Sequence, residues 1–227
     1  MPISTPTLAD NFVAPPCAEK ISILIQDEHI LVINKPSGLL SLSGKNPLNK
    51  DSVHYRLVQQ FPTATLAHRL DLGTSGLMII ALNKPANAQL TAQFQQRSIG
   101  KTYISVVAGH VQRDTGYIEE PIAKDLANFP QQKICHTTGK QAQSHYQVLE
   151  RLDNPPRSRI RFTPQTGRTH QLRIHSQALG HPILGCDLYG TPQTRGMAAR
   201  LLLHADSIAF CHPISAEPIT VHCPCPF

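Results

Sequence analysis

The chain has 227 residues, 41% of them hydrophobic and 16% charged, with a formal net charge of +6. That length can bury a substantial core in one domain or two small ones, and the composition excludes a disordered chain. No apolar run approaches the roughly 18 to 20 residues of a membrane span, and the first 20 residues lack the charged start and apolar block of a signal peptide.

Those first 20 residues read as a flexible leader, followed by one globular domain over residues 21–227, and the cytoplasm is the expected compartment. Excess positive charge suits a polyanionic partner, because Lys and Arg that neutralise phosphates release condensed counterions. Aromatic content is 5% with no Trp, which argues against an extended stacking platform for single strands. Cys17, Cys135, Cys186, Cys211, Cys223 and Cys225 show no regular spacing and read as reduced thiols.

In chain order, the β-branched runs Ile21 to Ile25 and Ile30 to Ile33 flank a polar turn and predict a hairpin. Lys35-Pro36-Ser37-Gly38 ends the second strand. From Ser52 to Phe61, Val53, Leu57, Val58 and Phe61 recur at helical steps, with Asp51 available as a cap. Leu77 to Leu82 is a wholly apolar run of strand length. Pro85 to Arg97 returns to helical spacing, with Pro85 suited to a first turn. Strands are expected at Thr102 to Ala108, Ser144 to Leu149 and Ile160 to Phe162. Arg168 to Leu179 reads as a helix stopped by Gly180 and Pro182, and Leu201 to Phe227 as two or three short strands. Strands outnumber helices without regular alternation, so the expected class is α+β, a mixed, largely antiparallel sheet with flanking helices.

Two segments concentrate polar chemistry. His68-Arg69-Leu70-Asp71-Leu72-Gly73-Thr74-Ser75-Gly76 places charged residues and two glycines directly before a buried strand, a position that commonly carries functional groups. Taken alone, Asp71 could equally pair with Arg69 or cap a turn. Gly167-Arg168-Thr169-His170-Gln171-Leu172-Arg173-Ile174-His175 would, as a helix, put Thr169, Arg173 and Gln177 on one face. Burying such a face is costly unless it meets a carboxylate or phosphates, and a solvated basic face is the simpler outcome. Alternation along Thr102 to Ala108 puts Tyr103, Ser105 and Val107 on one side of a strand, so the Tyr103 ring can be buried while its hydroxyl finds a partner.

With these residues the sequence resembles the RluA family of pseudouridine synthases. HRLDxxTSG matches His68 to Gly76, K-x-Y matches Lys101 to Tyr103, and GRTHQLRIH matches Gly167 to His175. NKPSGLL at Asn34 to Leu40 and GHPILG at Gly180 to Gly185 also fit. KPSGLLS at Lys35 to Ser41, KICHTTGKQAQ at Lys133 to Gln143 and RLLLHA at Arg200 to Ala205 resemble the short family form that acts on both tRNA and 23S rRNA. The resemblance implies an isomerase that detaches a uracil from its ribose and rejoins it through C5, with no metal or other cofactor. It implies that Asp71 is the acting carboxylate, that Arg173 is its ion-pair partner, and that Tyr103 stacks under the base. It further implies that Arg69 fills the space of the flipped base, supported by His68. Lys35, Lys101 and Arg168 would contact phosphates, and Leu202 or Leu203 would line the uracil pocket. The RNA partners would be an anticodon-loop uridine of tRNA and a hairpin-loop uridine of 23S rRNA, bound by a monomer.

Two features depart from the family pattern. Cys186 stands where Asp usually follows Gly185, and Asp187 comes next. There is also no room before Asn34 for an S4-type module, so the catalytic domain itself is expected to recognise RNA. The tail His222-Cys223-Pro224-Cys225 lacks the paired spacings of zinc sites. Two other classes stay open: a non-catalytic RNA-binding protein, and a metal-dependent hydrolase using His68 with Asp71 and His170 with His175. The second is disfavoured because His170 and His175, about 500° apart on a helix, point in different directions.

Overall fold

A computed structural model describes residues 12–227. Most of the expected leader lies outside the described residues. Its remainder, Phe12 to Lys20, makes hydrogen bonds to the body of the domain. Ala14 N–H donates to Asn49 Oδ1 at 2.7 Å, and the Arg56 guanidinium donates to the Glu19 carbonyl at 2.6 Å.

The strands β1 (Ser22–Gln26) and β2 (Ile30–Lys35) form the expected antiparallel hairpin. Helix α1 (Val53–Val58) is capped by Ser52, whose side chain accepts from Tyr55 N–H. Asp51, the expected cap, instead pairs with Arg56 at 2.6 Å. A two-residue strand β3 (Thr65–Leu66) leads to β4 (Ser75–Ala81), in which every residue is buried. A run apolar on both faces belongs in the middle of a sheet, and burying each of its large side chains contributes roughly 1.5–3 kcal/mol. Helix α2 (Lys84–Gln95) starts at the cap Asn83 with Pro85 in its first turn and buries Ala86 and Leu90.

The chain continues through β5 (Gly100–Ala108), β6 (Thr115–Ile118), the small hairpin β7 (Ile122–Lys124) and β8 (Gln132–Ile134), then β9 (Ser144–Leu152) and β10 (Arg157–Pro164). Helix α3 (Gln171–Ala178) and the short α4 (Pro192–Gly196) precede β11 (Leu203–Cys211) and β12 (Pro218–His222). Strands β3, β6, β7 and β8 and helix α4 have no expected counterpart. Each is too short to carry a clear period.

One ten-stranded sheet runs β1-β2-β4-β11-β5-β10-β9-β6, with β12 beside β11 and β3 beside β4. All of its pairings are antiparallel except β4 with β11, so the expected α+β class holds. That parallel contact is narrow, made by His204 opposite Ser75 and Ala205 opposite Gly76. Beyond it, β11 exchanges β4 for β12. The sheet is therefore two half-sheets joined at a waist; the first hydrophobic cluster reaches across it to Ala205, Ile208 and Phe210 of β11 and Val221 of β12, while the second lies in the half built around β5, β9 and β10.

Buried polar groups reinforce the waist. Arg200 donates to Ser75 Oγ at 2.5 Å, and the Ser75 hydroxyl donates to His204 Nδ1 at 2.8 Å. This leaves His204 Nε2–H to donate to the Cys223 carbonyl at 3.1 Å. Every polar atom in that chain has a partner, as burial requires.

Candidate active site

The segment carrying Asp71 is held by the turn that follows β2. Ser41 Oγ donates to the Leu70 carbonyl and accepts from Leu70 N–H. Ser37 Oγ donates to the Gly73 carbonyl, and Gly38 N–H donates to the Leu72 carbonyl. Lys35, fully buried, donates to the carbonyls of Pro36, Leu39 and Leu72 at 2.9, 2.7 and 3.2 Å. The NKPSGLL segment is thus a backbone cradle for residues 70–73.

Two residues expected at the RNA, Lys35 and His68, are turned to other partners. Lys35 spends its three donors on carbonyls, and burial pushes its pKa down to about 7, with Asp71 acting in the opposite direction. The His68 ring turns towards the core, where Nε2 accepts from Ile79 N–H at 2.9 Å and the ring packs on Phe94. Burial, helped by Lys101, drives its pKa down to about 3, so it is a neutral strut. Replacing Lys35 with Met is expected to leave the Pro36 and Leu39 carbonyls without a donor, at about 1–3 kcal/mol each. Thermal unfolding should show a midpoint lowered by roughly 5–15 °C, whereas loss of a phosphate contact alone would leave it unmoved.

Asp71 lies at the floor of a cleft between the two half-sheets. Its carboxylate is 3.7 Å from Arg173 Nη1 and 4.0 Å from His170 Nε2, and its side chain keeps 26% of its exposure. Among the described residues nothing hydrogen-bonds either oxygen, so the carboxylate is charge-compensated yet open to a ligand.

The helix that brings Arg173 is shorter at its start than expected. Residue His170 is left-handed, with φ 57°, so α3 begins at Gln171. Thr169 and Gln177 are exposed while Arg173 is buried, and the shared face expected for the three does not form. Gln171 anchors the first turn instead, accepting from Thr166 Oγ and Arg168 N–H and donating to the Gln143 carbonyl and Ser144 Oγ.

Arg173 is shared among several groups. Besides Asp71 it pairs closely with Asp187, donates to Cys186 Sγ at 3.4 Å, and lies over the Tyr189 ring. Burial works against its charge, but Cys186, Asp71 and Asp187 outweigh it and hold its pKa above the ordinary value. The departure after Gly185 therefore leaves Arg173 with a carboxylate, supplied one residue later by Asp187.

Tyr103 stands at the seam, packed against both hydrophobic clusters, and lines the cleft with Leu203. Burial, and then Asp71, raise its pKa well above the ordinary range, so it stays protonated. No hydrogen bond reaches its hydroxyl among the described residues. Of the two leucines expected at the pocket, Leu203 reaches it; Leu202 packs into the second cluster and gives its carbonyl to Ser105 Oγ. Arg69 is exposed at the rim, and Lys101 and Arg168 also border the cleft.

The histidines proposed for a metal are otherwise engaged. His175 bonds Ser144 Oγ and the Glu120 carbonyl. Among the described residues no three His, Cys, Asp or Glu side chains converge in a metal-binding group, and no helix is long and apolar enough to cross a membrane. Asp187 and Tyr189 are not singled out as site residues by the sequence, and His170 enters there only as a ligand in the disfavoured metal reading. His170 stood inside a matched segment, and its unusual backbone conformation, which the sequence does not advertise, is what turns it to Asp71.

A carboxylate open at the floor of a cation-rimmed cleft fits an enzyme that acts on a nucleic acid. The chain belongs to the RNA pseudouridylate synthase family, whose model matches residues 29–178. It is an RNA pseudouridine synthase, an isomerase converting uridine to pseudouridine in RNA, which bears out the resemblance drawn from its motifs. It is 48% identical over 205 residues to the dual-specificity RNA pseudouridine synthase RluA of Yersinia pestis, covering 90% of this chain and 99% of that one. The protein of the same description from Escherichia coli K12 is 45% identical over 214 residues, covering 94% and 97%. Among solved structures, human RNA pseudouridylate synthase domain containing 1 superposes with a TM-score of 0.78 at 31% identity, covering 94% of this chain and 86% of that one.

Proposed function

We propose that the enzyme isomerises an anticodon-loop uridine of tRNA and a hairpin-loop uridine of 23S rRNA, with Asp71 as the carboxylate that acts on the flipped nucleotide. The observation that carries the role of Asp71 is its open carboxylate between Arg173 and His170 at the cleft floor. The dual-specificity description of the RluA relatives supports the two RNA classes.

A uridine within a loop must leave its stack to reach Asp71, at a cost of a few kcal/mol. Tyr103 then lies beneath the base and Leu203 beside it. Arg173 keeps Asp71 charged by its proximity, so the carboxylate acts as nucleophile or base without a metal. Arg69 takes the place the base has left, while Lys101 and Arg168 meet the adjoining phosphates. Recognition of a compact loop by its shape and its splayed bases suits this arrangement of groups.

Mapping pseudouridines in total RNA from a strain lacking this chain, and again after restoring it, tests the reading. Dependent sites are expected in one tRNA loop and one 23S hairpin loop; none in either class would remove the substrate proposal. The role of Arg69 has its own test. Arg69→Ala should slow turnover of a folded stem-loop about tenfold or more, equivalent to about 1.4 kcal/mol. An unstructured strand of the same sequence, whose base is already free, should lose much less.

A further inference from the structure

Asp71 has a second neighbour whose orientation is dictated from outside the cleft. Gln132 N–H donates to Tyr189 Oη at 2.9 Å. A backbone amide can only donate, so the Tyr189 oxygen is the acceptor there and its own proton is free to go elsewhere. His170 Nδ1 lies 2.7 Å from that oxygen. Burial holds the Tyr189 proton, raising its pKa to about 12. Among the described residues the only other hydrogen-bond partner of Tyr189 Oη is Nδ1, so its proton goes there, and in the neutral ring this leaves the hydrogen on Nε2, the atom 4.0 Å from Asp71 Oδ1.

The ring is kept neutral chiefly by its burial. Arg173 beside it adds to that effect, and Asp71 and Asp187 oppose it. The same Tyr189 presents its face to the Arg173 guanidinium, 5.2 Å from the ring centroid. One buried tyrosine thus sets both groups that flank the carboxylate. His170 also holds a left-handed backbone, with φ 57°, a conformation that non-glycine residues keep where the surroundings impose it and that clusters at functional sites.

We propose that Gln132, Tyr189 and His170 form a positioning relay for Asp71: Tyr189 fixes the imidazole tautomer so that Nε2–H faces the carboxylate and holds it in register with the target nucleotide. The proposal rests on the reading of Asp71 as the acting carboxylate. His170 and Tyr189 are positioning residues, since neither is required to touch the RNA. A contact of 4.0 Å closes to a hydrogen bond with a small side-chain rotation, and catalytic contacts commonly tighten when substrate binds.

The test compares Tyr189→Phe and His170→Asn with the unaltered enzyme and with Asp71→Asn, on one RNA stem-loop. Tyr189→Phe keeps the ring against Arg173 and removes only the hydroxyl; Asn is among the residues that tolerate a left-handed backbone. Each should lower kcat about 10- to 100-fold, the scale of a small misplacement of a reacting group, with KM for the RNA within about twofold. Imidazole nitrogen NMR should show His170 as the Nε2–H tautomer in the unaltered enzyme and as a mixture in Tyr189→Phe. Normal kcat in both variants beside an inactive Asp71→Asn would overturn the relay alone. Activity in Asp71→Asn would overturn the role of Asp71 and the relay with it. A fall in kcat with the tautomer unchanged in Tyr189→Phe would assign these residues to structure and also overturn the relay.

Discussion

Replacing Asp71 with Asn is expected to lower pseudouridine formation by about 10⁴-fold or more, the scale seen when a group central to the chemistry is removed. RNA affinity should stay within about threefold, a change of under about 1 kcal/mol. The amide has nearly the shape of the carboxylate but can neither attack the nucleotide nor take its proton. The fold has little to lose, because nothing hydrogen-bonds the carboxylate oxygens among the described residues, and Arg173 keeps Asp187 and Cys186. Release of hydrogen from C5 of labelled uridine reads the chemistry, and filter binding reads the affinity. Turnover within tenfold of the unaltered enzyme would take the reaction away from Asp71. Loss of binding together with turnover would make the residue structural.

Gly76→Ala is expected to destabilise the protein strongly. Gly76 has φ +110°, and an added Cβ would fall 2.3 Å from the Ala205 carbonyl oxygen and 2.6 Å from its amide nitrogen. These are backbone atoms of the paired strand, so no side chain can swing aside. Conformational strain of about 1–3 kcal/mol and overpacking of a similar size together reach about 2–6 kcal/mol. That is a large share of the roughly 5–15 kcal/mol that holds a domain folded. Thermal unfolding should show a midpoint lowered by roughly 5–20 °C. Gly196→Ala is the control, since a Cβ there meets nothing within 4 Å. A Gly76→Ala protein as stable as that control would mean that β4 and β11 can separate at little cost.

The parts legible in the sequence are those where local chemistry and tertiary demand agree. The apolar run after Gly76 has the length of a strand, and Pro85 marks the first turn of a helix. Asp71 and Arg173 stood out because their segments match a known family closely. What stayed hidden depends on closure between distant segments. Lysine is almost always exposed, and Lys35 departs from that habit because the turn after it folds onto residues 70–73 and offers three carbonyls. His68 looks like a cleft residue until the strand amide of Ile79 claims its ring. Tyr189 lies 19 positions from His170, and no periodicity links them. The start of α3 was misjudged because a left-handed residue interrupts a stretch whose composition is helical throughout.

The two-residue waist has a consequence for how activity reports on folding. Asp71 belongs to the half built around β2 and β4, whereas His170, Arg173 and Tyr189 belong to the half built around β9 and β10. The first apolar cluster spans the waist, from β2 and β4 onto β11 and β12, so the halves are coupled by packing as well as by the narrow β4–β11 pairing. Local openings cost less than global unfolding, and one that shifts this packing would part the carboxylate from its cation while the rest of the sheet stays paired. Catalysis in this enzyme is therefore a measure of register across the waist. Under mild urea its loss should run ahead of the circular dichroism signal.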